Sequence, residues 1–183
     1  NARVEMDATL VRTAMSPGIR EQGDAFPLIA DHKGRMIVGQ FGSYIGPFLE
    51  GYEGTVEDGD LIMLSDPYSV GGAISHSNDW LVLLPVFKDG RLIAYTSMFG
   101  HQSDIGGKVP GSMPIDATSI FQEGVRIPPI KLYKQGQYNE DVFKLIMHQV
   151  RTPDWCSADL NALIASCRVA KNRVVEMAER FGD

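Results

Sequence analysis

Several features are scarce in this 183-residue sequence, and each scarcity excludes a class of protein. There are only two cysteines, which excludes a disulfide-stapled scaffold or a cysteine-rich metal cluster. Basic residues number 17 against 23 acidic ones, so the net charge of −6 argues against nucleic acid or an anionic membrane as the partner. No apolar run approaches the roughly 18 residues that a membrane span requires, and the first residues lack the layout of a signal peptide. We therefore expect a soluble, cytoplasmic protein.

What is present is the composition of an ordinary globular domain. Hydrophobic residues make up 44% of the chain and charged residues 22%, which is enough to build a core and too apolar for disorder. Cys156 and Cys167 fall in or beside the last helical stretch and are predicted to be reduced, structural thiols. The chain opens on Asn1 within a helix-like pattern, so we expect it to be a portion of something longer.

The pattern of apolar residues predicts an α+β fold, with helices at both ends of the chain and a mixed, mostly antiparallel sheet between them. Helices are expected over residues 3–15, 139–150 and 157–181, and strands over 25–30, 36–41, 61–64, 80–87, 91–99 and 130–133. In residues 42–54 the apolar residues show neither helical nor strand periodicity. Residues 100–129 are rich in Gly and Pro, and a loop of that length is typical of a functional site.

The strongest local prediction is a hairpin whose two strands are joined by Lys88-Asp89-Gly90. Its first strand is almost uniformly apolar, so we expect a central strand covered on both faces, with a bulge at Pro85. If Phe87 pairs with Arg91, then His76 lies opposite Gln102 at the open end of the hairpin.

Two copies of one pattern flank this hairpin: His76-x-x-Asp79 before its first strand and His101-x-x-Asp104 after its second. Neighbouring strands lie about 4.8 Å apart, so both patterns are expected at the same end of the sheet. Two imidazoles and two carboxylates suit Mn, Fe, Co or Zn, and such an ion polarises carbonyls or activates water. The alternative is that the histidines lie on the surface and the aspartates cap turns.

Other acidic residues are weaker candidates. Asp24 or Glu21, just before the first strand, could reach the site as an acid, a base or a fifth ligand. The alternative for both is a solvated turn, and Asp116 and Glu123 in the long loop have the same two interpretations.

A nucleotide-binding loop is not found. Gly106-Gly107-Lys108 lacks the earlier Gly and the following Ser or Thr of a P-loop, because Gln102 and Val109 stand at those positions. Ser112 lies in a Pro- and Gly-rich turn without the surroundings of a nucleophile elbow. If the reaction uses a nucleotide, we expect another subunit to bind it.

Short motifs follow one another along nearly the whole chain. Their order together is a more specific signature of a protein family than any single motif. In order they are Ser65-Asp66-Pro67-Tyr68, His76-x-x-Asp79, Pro85-Val86-Phe87, His101-x-x-Asp104-Ile105-Gly106-Gly107, Pro110-Gly111-Ser112-Met113-Pro114 and Glu123-Gly124-Val125-x-Ile127-Pro128-Pro129. This set resembles the hydantoinase B/oxoprolinase family, which includes subunits of ATP-dependent cyclic amide hydrolases and of acetone and acetophenone carboxylases.

The resemblance implies a metal-dependent enzyme subunit acting on a small-molecule substrate, a cyclic amide or a ketone, while a hydantoinase A-like partner uses ATP. It implies a divalent metal (Mn, Zn or Fe) at His76, Asp79, His101 and Asp104, catalytic roles for Asp24, His76 and His101, and a small third subunit in carboxylases. Residues 1–183 would then be a single domain or the N-terminal portion of a hydantoinase B-type subunit.

Two departures from the family pattern leave the substrate open. The second motif reads Gly100-His101-Gln102 where hydantoinases have a double His, and Ser75-His76-Ser77-Asn78-Asp79 differs from the Thr-His-Leu-Pro-Asp type. Both favour a carboxylase-like or divergent member. A second hypothesis is a non-catalytic scaffold domain that docks a hydantoinase A-like subunit through its apolar helices.

Overall fold

A computed structural model describes residues 2–40, 43–69 and 71–182 of the chain. Its elements are α1 (Ala2–Thr13), α2 (Pro17–Arg20), β1 (Ala25–Asp31), β2 (Met36–Val38), α3 (Ile45–Gly51), β3 (Leu61–Leu64), β4 (Asp79–Lys88), β5 (Arg91–His101), a 3₁₀ turn (Ile120–Gln122), β6 (Ile130–Lys134), β7 (Gln137–Tyr138), α4 (Glu140–Met147) and α5 (Pro153–Phe181).

The seven strands form one sheet in the order β2-β1-β5-β4-β3-β6-β7, and every pairing between them is antiparallel. The predicted α+β class is therefore confirmed. As expected, β4 is central and is covered on both faces. Trp80 and Val82 belong to the core beneath α1 and α5, whereas Leu81 and Leu83 pack with α3 on the opposite face.

The predicted register of the β4–β5 hairpin is wrong by two residues at its open end. The turn has only two residues, Asp89 and Gly90, both with positive φ (50° and 76°), so Lys88 rather than Phe87 pairs with Arg91. A bulge between Val86 and Phe87, one residue beyond the expected position at Pro85, adds the second residue of shift. As a result, Asp79 lies directly opposite His101.

The N-terminal helix is confirmed, although it ends at Thr13 rather than at residue 15. Met6 and Leu10, one turn apart, face the core, whereas Val4, Val11 and Met15 are exposed. Because residues at i and i+4 share a helix face, the pair that packs against α5 defines the buried stripe.

Other boundaries also differ from the predictions. Helices α2 and α3 and strand β7 were not predicted. Strand β2 ends at Val38, while Phe41, at the end of the predicted strand, lies outside the described residues. Helix α5 begins at Pro153, four residues before the expected start at residue 157, and the proline occupies its first turn. Phe181, the last residue of α5, is exposed.

Both cysteines lie on the buried face of α5, as free thiols. Burial raises the pKa of Cys156 to about 11 and also raises that of Cys167, which makes both poor nucleophiles near neutral pH. The prediction of structural thiols is confirmed. Among the described residues, no helix combines the length and apolar character that crossing a membrane requires.

One buried ion pair in the sheet makes stability depend on pH. Asp60 is fully buried before β3 and accepts hydrogen bonds from Lys131 Nζ (2.7 Å) and from the amides of Gln135 and Glu57 (2.9 Å each). Burial alone would raise the pKa of Asp60, but the hydrogen bonds from Lys131 and the amides outweigh it and lower that pKa.

A lowered pKa in the folded state contributes stability at neutral pH that is lost as the pH falls below about 4. We therefore expect Asp60→Asn to lower the free energy of unfolding at pH 7 and to flatten its decline on acidification. Urea unfolding between pH 3 and 7 measures both. Asp58→Asn is the matched control, because Asp58 pairs with Lys171 at the surface; equal slopes for the two variants would contradict the assignment.

Candidate metal centre

Three acidic or imidazole side chains lie in one row across the ends of three neighbouring strands. Asp79 of β4 pairs with His101 of β5. On the other side, Ala25 pairs with Gly100, and the amide of His101 donates to the carbonyl of Asp24 (3.0 Å), which extends the row to β1. Residues in register across a sheet point to the same face. Asp24, His101 and Asp79 therefore share the face that α3 covers.

His76 reaches this row from the loop before β4. Its Nε2 lies 3.0 Å from Asp79 Oδ1 and 3.1 Å from His101 Nδ1, and His101 Nδ1 lies 3.1 Å from the same Asp79 oxygen. The carboxylate of Asp24 is farther away, with Oδ2 3.9 Å from His101 Nδ1. Among the described residues, the group of donors placed to hold a metal ion is His76, Asp79 and His101.

The chemistry of this donor triangle fits a divalent cation. If His76 Nε2 and His101 Nδ1 both carried protons, both could donate to Asp79. The two N–H groups would then face each other at 3.1 Å, which is unfavourable. A cation removes the conflict because each atom then contributes a lone pair. Ligands about 2.1 Å from one ion and at right angles lie about 3.0 Å apart, close to all three observed edges. Two imidazoles and one carboxylate are typical of Fe, Zn or Mn.

The local electrostatics favour positive charge at the same position. The hydrogen bond to Asp79 raises the pKa of His101; burial opposes this rise, and the charges of Asp79 and Asp24 support it. The two carboxylates that favour a proton on His101 equally favour a metal ion beside it.

Two hydrogen bonds join the loops that carry the two motifs. The amide of Gln102 donates to the carbonyl of Asn78 (2.8 Å), and Asn78 Nδ2 donates to the carbonyl of Gln102 (3.2 Å). Both side chains are buried. This link continues the β4–β5 pairing past the ladder and restricts where His76 and His101 can move.

Asp104 was predicted as a fourth metal ligand, but the structure does not bring it into the cluster. Its carboxylate accepts hydrogen bonds from the amides of Gly106 and Gly111 (2.9 Å each) and from Arg151 Nη1 (2.9 Å). Burial alone would raise the pKa of Asp104, but the amides of Gly111 and Gly106, with Ser112 and Arg151, lower it. Its acceptor positions are used to shape the loop, which explains why it is not directed at the histidines.

Arg151, between α4 and α5, is a residue that the sequence reasoning missed. Besides Asp104, its guanidinium donates to the carbonyl oxygens of Gly106 (3.0 Å), Gly107 and Val109 (2.9 Å). A planar guanidinium can hold several acceptors of one loop at once. The only sequence signal would have been the lone Arg in the polar segment between two helices, which does not identify a partner.

The remaining candidates lie away from the cluster or at its edge. Glu21 is exposed at the end of α2, and Asp116 forms a surface ion pair with Lys108. Ser112 is buried, and its hydroxyl accepts from the amide of Ile105 (2.8 Å), as expected for a turn residue. Glu123 lines a shallow depression beside His76.

A cleft of about 300 Å³ opens beside Asp79 on the α3 face of the sheet. We call it the apolar cleft, because most of its lining is apolar; it is lined by Tyr44, Pro47, Ala73, Ile74, Asp79 and Phe99, together with Ser43, Gly72 and Ser75. Phe99 lies two residues before His101 in β5, so its side chain lies on the same sheet face as the cluster. A small molecule in this cleft would touch the cluster at the Asp79 end.

Comparison with known proteins gives consistent similarities. The sequence profile of the family described as hydantoinase B/oxoprolinase matches residues 1–183. The beta subunit of caprolactamase from Pseudomonas jessenii is 37% identical over 99% of this chain and 32% of its own length. The delta subunit of acetophenone carboxylase from Aromatoleum aromaticum is 31% identical over 87% of this chain and 24% of its own.

A solved structure agrees. The crystal structure of the ATP-dependent caprolactamase from P. jessenii superimposes with a TM-score of 0.87 and 34% identity, over 99% of this chain and 32% of that one. This chain thus spans about a third or less of the length of these relatives. With a profile match along its entire length, the chain belongs to the hydantoinase B/oxoprolinase family.

Proposed function

We propose that this chain supplies the metal centre of an ATP-dependent enzyme that hydrolyses a cyclic amide, while ATP is used on a hydantoinase A-like partner. The observation that carries the proposal is the triangle of His76, Asp79 and His101, of which Asp79 also lines the apolar cleft. The similarity to a caprolactamase beta subunit supports the reaction class. Convergence of these side chains favours a catalytic role over the alternative of a scaffold domain.

In this proposal each residue has a defined task. His76, Asp79 and His101 hold the divalent ion, which when bound polarises a carbonyl oxygen or lowers the pKa of a water. Asp24, half-exposed on the far side of His101, provides a further ligand or moves a proton. The apolar cleft holds the substrate and excludes water from one side of the cluster.

The proposal places ATP on a partner because the glycine loop of this chain already uses two of its amides within the chain. A phosphate-binding loop needs unpaired N–H groups directed at the ligand. Here the Gly106 amide donates to Asp104 and the Lys108 amide to the carbonyl of Gln122 (2.7 Å). Arg151 in turn holds the carbonyls of Gly106 and Gly107.

Carboxylation of a ketone is a second candidate. The similarity to the delta subunit of acetophenone carboxylase, together with the single histidine of the second motif, favours it. The same cluster would serve, since a ketone carbonyl also needs polarisation before carbon–carbon bond formation. A carboxylase would also require a small third subunit.

The experiment is a substrate test on the complete enzyme, purified with its partner subunits and supplied with ATP and Mn²⁺ or Zn²⁺. We expect ATP-dependent ring opening of a lactam or hydantoin, lost on chelation and restored by metal. Bicarbonate-dependent consumption of a ketone would instead establish the second candidate. Metal-independent turnover, or no bound metal and no turnover of either substrate, would overturn the assignment.

Asp24 provides a graded test of the site. We expect Asp24→Asn to weaken metal binding about tenfold and to lower kcat, because it removes a negative charge next to His101. The matched control is Glu21→Gln, three residues away and exposed. Metal affinity follows from competition with a chromogenic chelator, and equal affinities for the two variants would exclude Asp24 from the site.

A further inference from the structure

We propose that Glu123 is the proton-transfer residue of this site. Its carboxylate takes a proton from the water that attacks the substrate carbonyl and returns that proton to the leaving nitrogen. The inference rests on the proposed function and adds a catalytic residue to it. It depends on the position of Glu123 beside the donor triangle, on the contacts of its carboxylate and on how its backbone is fixed.

The donor triangle borders two openings whose described lining residues do not overlap. Asp79 lines the apolar cleft, whereas His76 lines a second depression of about 210 Å³, which we call the loop depression. The loop depression is lined by His76, Asn78, Ser112, Glu123 and the segment 113–115. A substrate held in the apolar cleft therefore leaves the loop depression open to a water molecule.

The carboxylate of Glu123 is not engaged in holding the fold together. Asp104 and Asp116, the other acids of the long loop, accept hydrogen bonds from loop amides and from Lys108, respectively. Glu123 is half-buried, and within the described part of the chain its carboxylate has no hydrogen bond or ion pair. Its oxygens therefore keep lone pairs with which to accept a proton.

The other polar side chains of the loop depression already have partners. Asn78 Nδ2 donates to the carbonyl of Gln102 (3.2 Å), and the Ser112 hydroxyl donates to the carbonyl of Gly106 (2.6 Å). None of the described residues that line the depression is Lys or Arg, so no cation from these residues competes for the carboxylate. Glu123 is the acid of this depression that can exchange a proton with water.

The backbone around Glu123 is fixed against the glycine loop by two close approaches. A Cβ on Gly107 would lie 2.7 Å from the amide nitrogen of Gly124, and one on Gly124 would lie 2.7 Å from the carbonyl oxygen of Ile105. Neither position admits a larger residue without displacing the backbone. The amide of Val125 also donates to the carbonyl of Ile105 (2.9 Å). Glu123 is thus held in place, as a catalytic side chain must be.

The chemical step moves one proton twice. As the water oxygen bonds to the carbonyl carbon, one water proton passes to the Glu123 carboxylate. The C–N bond then breaks and the same proton passes to the nitrogen, which restores the carboxylate. The net change is the addition of one water molecule across the C–N bond. Asp24, on the far side of His101, is then left with the role of a further metal ligand.

The variant Glu123→Gln removes the proton acceptor and keeps the size of the side chain. We expect its fold to be unchanged, because the carboxylate has no hydrogen bond within the described residues; circular dichroism and thermal unfolding check this. Glu123→Ala is a second variant with the same expected loss of activity. The matched control is Asp116→Asn, an exposed carboxylate of the same loop that pairs with Lys108.

The measurements use the complete enzyme with its partner subunits, ATP, Mn²⁺ or Zn²⁺ and a lactam. We expect Glu123→Gln to lower kcat by about 100-fold or more with KM within about twofold, and Asp116→Asn to change neither. Metal affinity from chelator competition and calorimetric binding of the lactam should be the same in Glu123→Gln and in the unmodified enzyme.

The outcomes separate this inference from the proposed function. Turnover by the unmodified enzyme with kcat unchanged in Glu123→Gln would overturn the inference alone. A loss of metal affinity in Glu123→Gln would make Glu123 a ligand, and a higher KM with unchanged kcat would make it a binding residue; either result also overturns the inference. No turnover of the lactam by the unmodified enzyme would reject the proposed amide hydrolysis and the step built on it.

Discussion

Replacing His101 with alanine is expected to reduce metal binding by at least about 100-fold and to abolish ATP-dependent turnover. His101 Nδ1 contacts both His76 and Asp79, so its loss removes one donor and also releases the other two from their common position. Metal content by mass spectrometry and affinity by chelator competition measure the effect. We expect about one ion per chain in the unmodified enzyme and almost none in the variant.

The control for this prediction is His148→Ala. His148 is exposed at the C-cap of α4 and lies outside the cluster. It should keep both metal and activity, and thermal unfolding of the two variants shows whether the fold is intact. Retention of full metal content in His101→Ala would contradict the assignment of the site.

Replacing Asp104 with alanine is expected to cost about 2 to 4 kcal/mol in the free energy of unfolding. The carboxylate organises the loop after β5, so its removal leaves the amides of Gly106 and Gly111 without their acceptor and Arg151 without its ion pair. Denaturant unfolding gives the magnitude. Faster hydrogen exchange at residues 105–111 would locate the damage in that loop.

A surface carboxylate of the same loop region is the control for Asp104. Asp116 pairs with Lys108 but both are well exposed, so Asp116→Ala should change the free energy of unfolding by less than about 1 kcal/mol. If Asp104→Ala were equally mild but lost its metal, Asp104 would be a ligand as the sequence pattern suggested, and the structural role assigned here would be wrong.

Asp104 also illustrates what the sequence could not reveal. The pattern His-x-x-Asp occurs twice, and the sequence correctly predicts that both histidines and the first aspartate meet at one sheet end. The sequence does not indicate that the second aspartate, Asp104, lies in the loop after β5 and pairs there with Arg151, 47 positions later. The hydrogen-bond partner of such a carboxylate is set by tertiary contacts, which a local sequence pattern does not specify.

The register of the β4–β5 hairpin also depends on features that the apolar pattern does not reveal. Both strands were predicted because their apolar runs are long, but the pairing depends on the positive φ of Asp89 and on the bulge after Val86. Helix α3 was missed because Gly46, Pro47 and Gly51 are weak helix formers and the observed N-cap, Tyr44, makes no side-chain capping bond. Packing of Ile45 and Phe48 into the core stabilises this helix instead.

Locating the metal ion by anomalous X-ray scattering from crystals of the complete enzyme containing Mn²⁺ tests the central claim most directly. The account predicts one peak about 2.1 Å from His76 Nε2, His101 Nδ1 and an oxygen of Asp79. A peak elsewhere in this chain, or no peak while these three side chains remain hydrogen-bonded to one another, would contradict it.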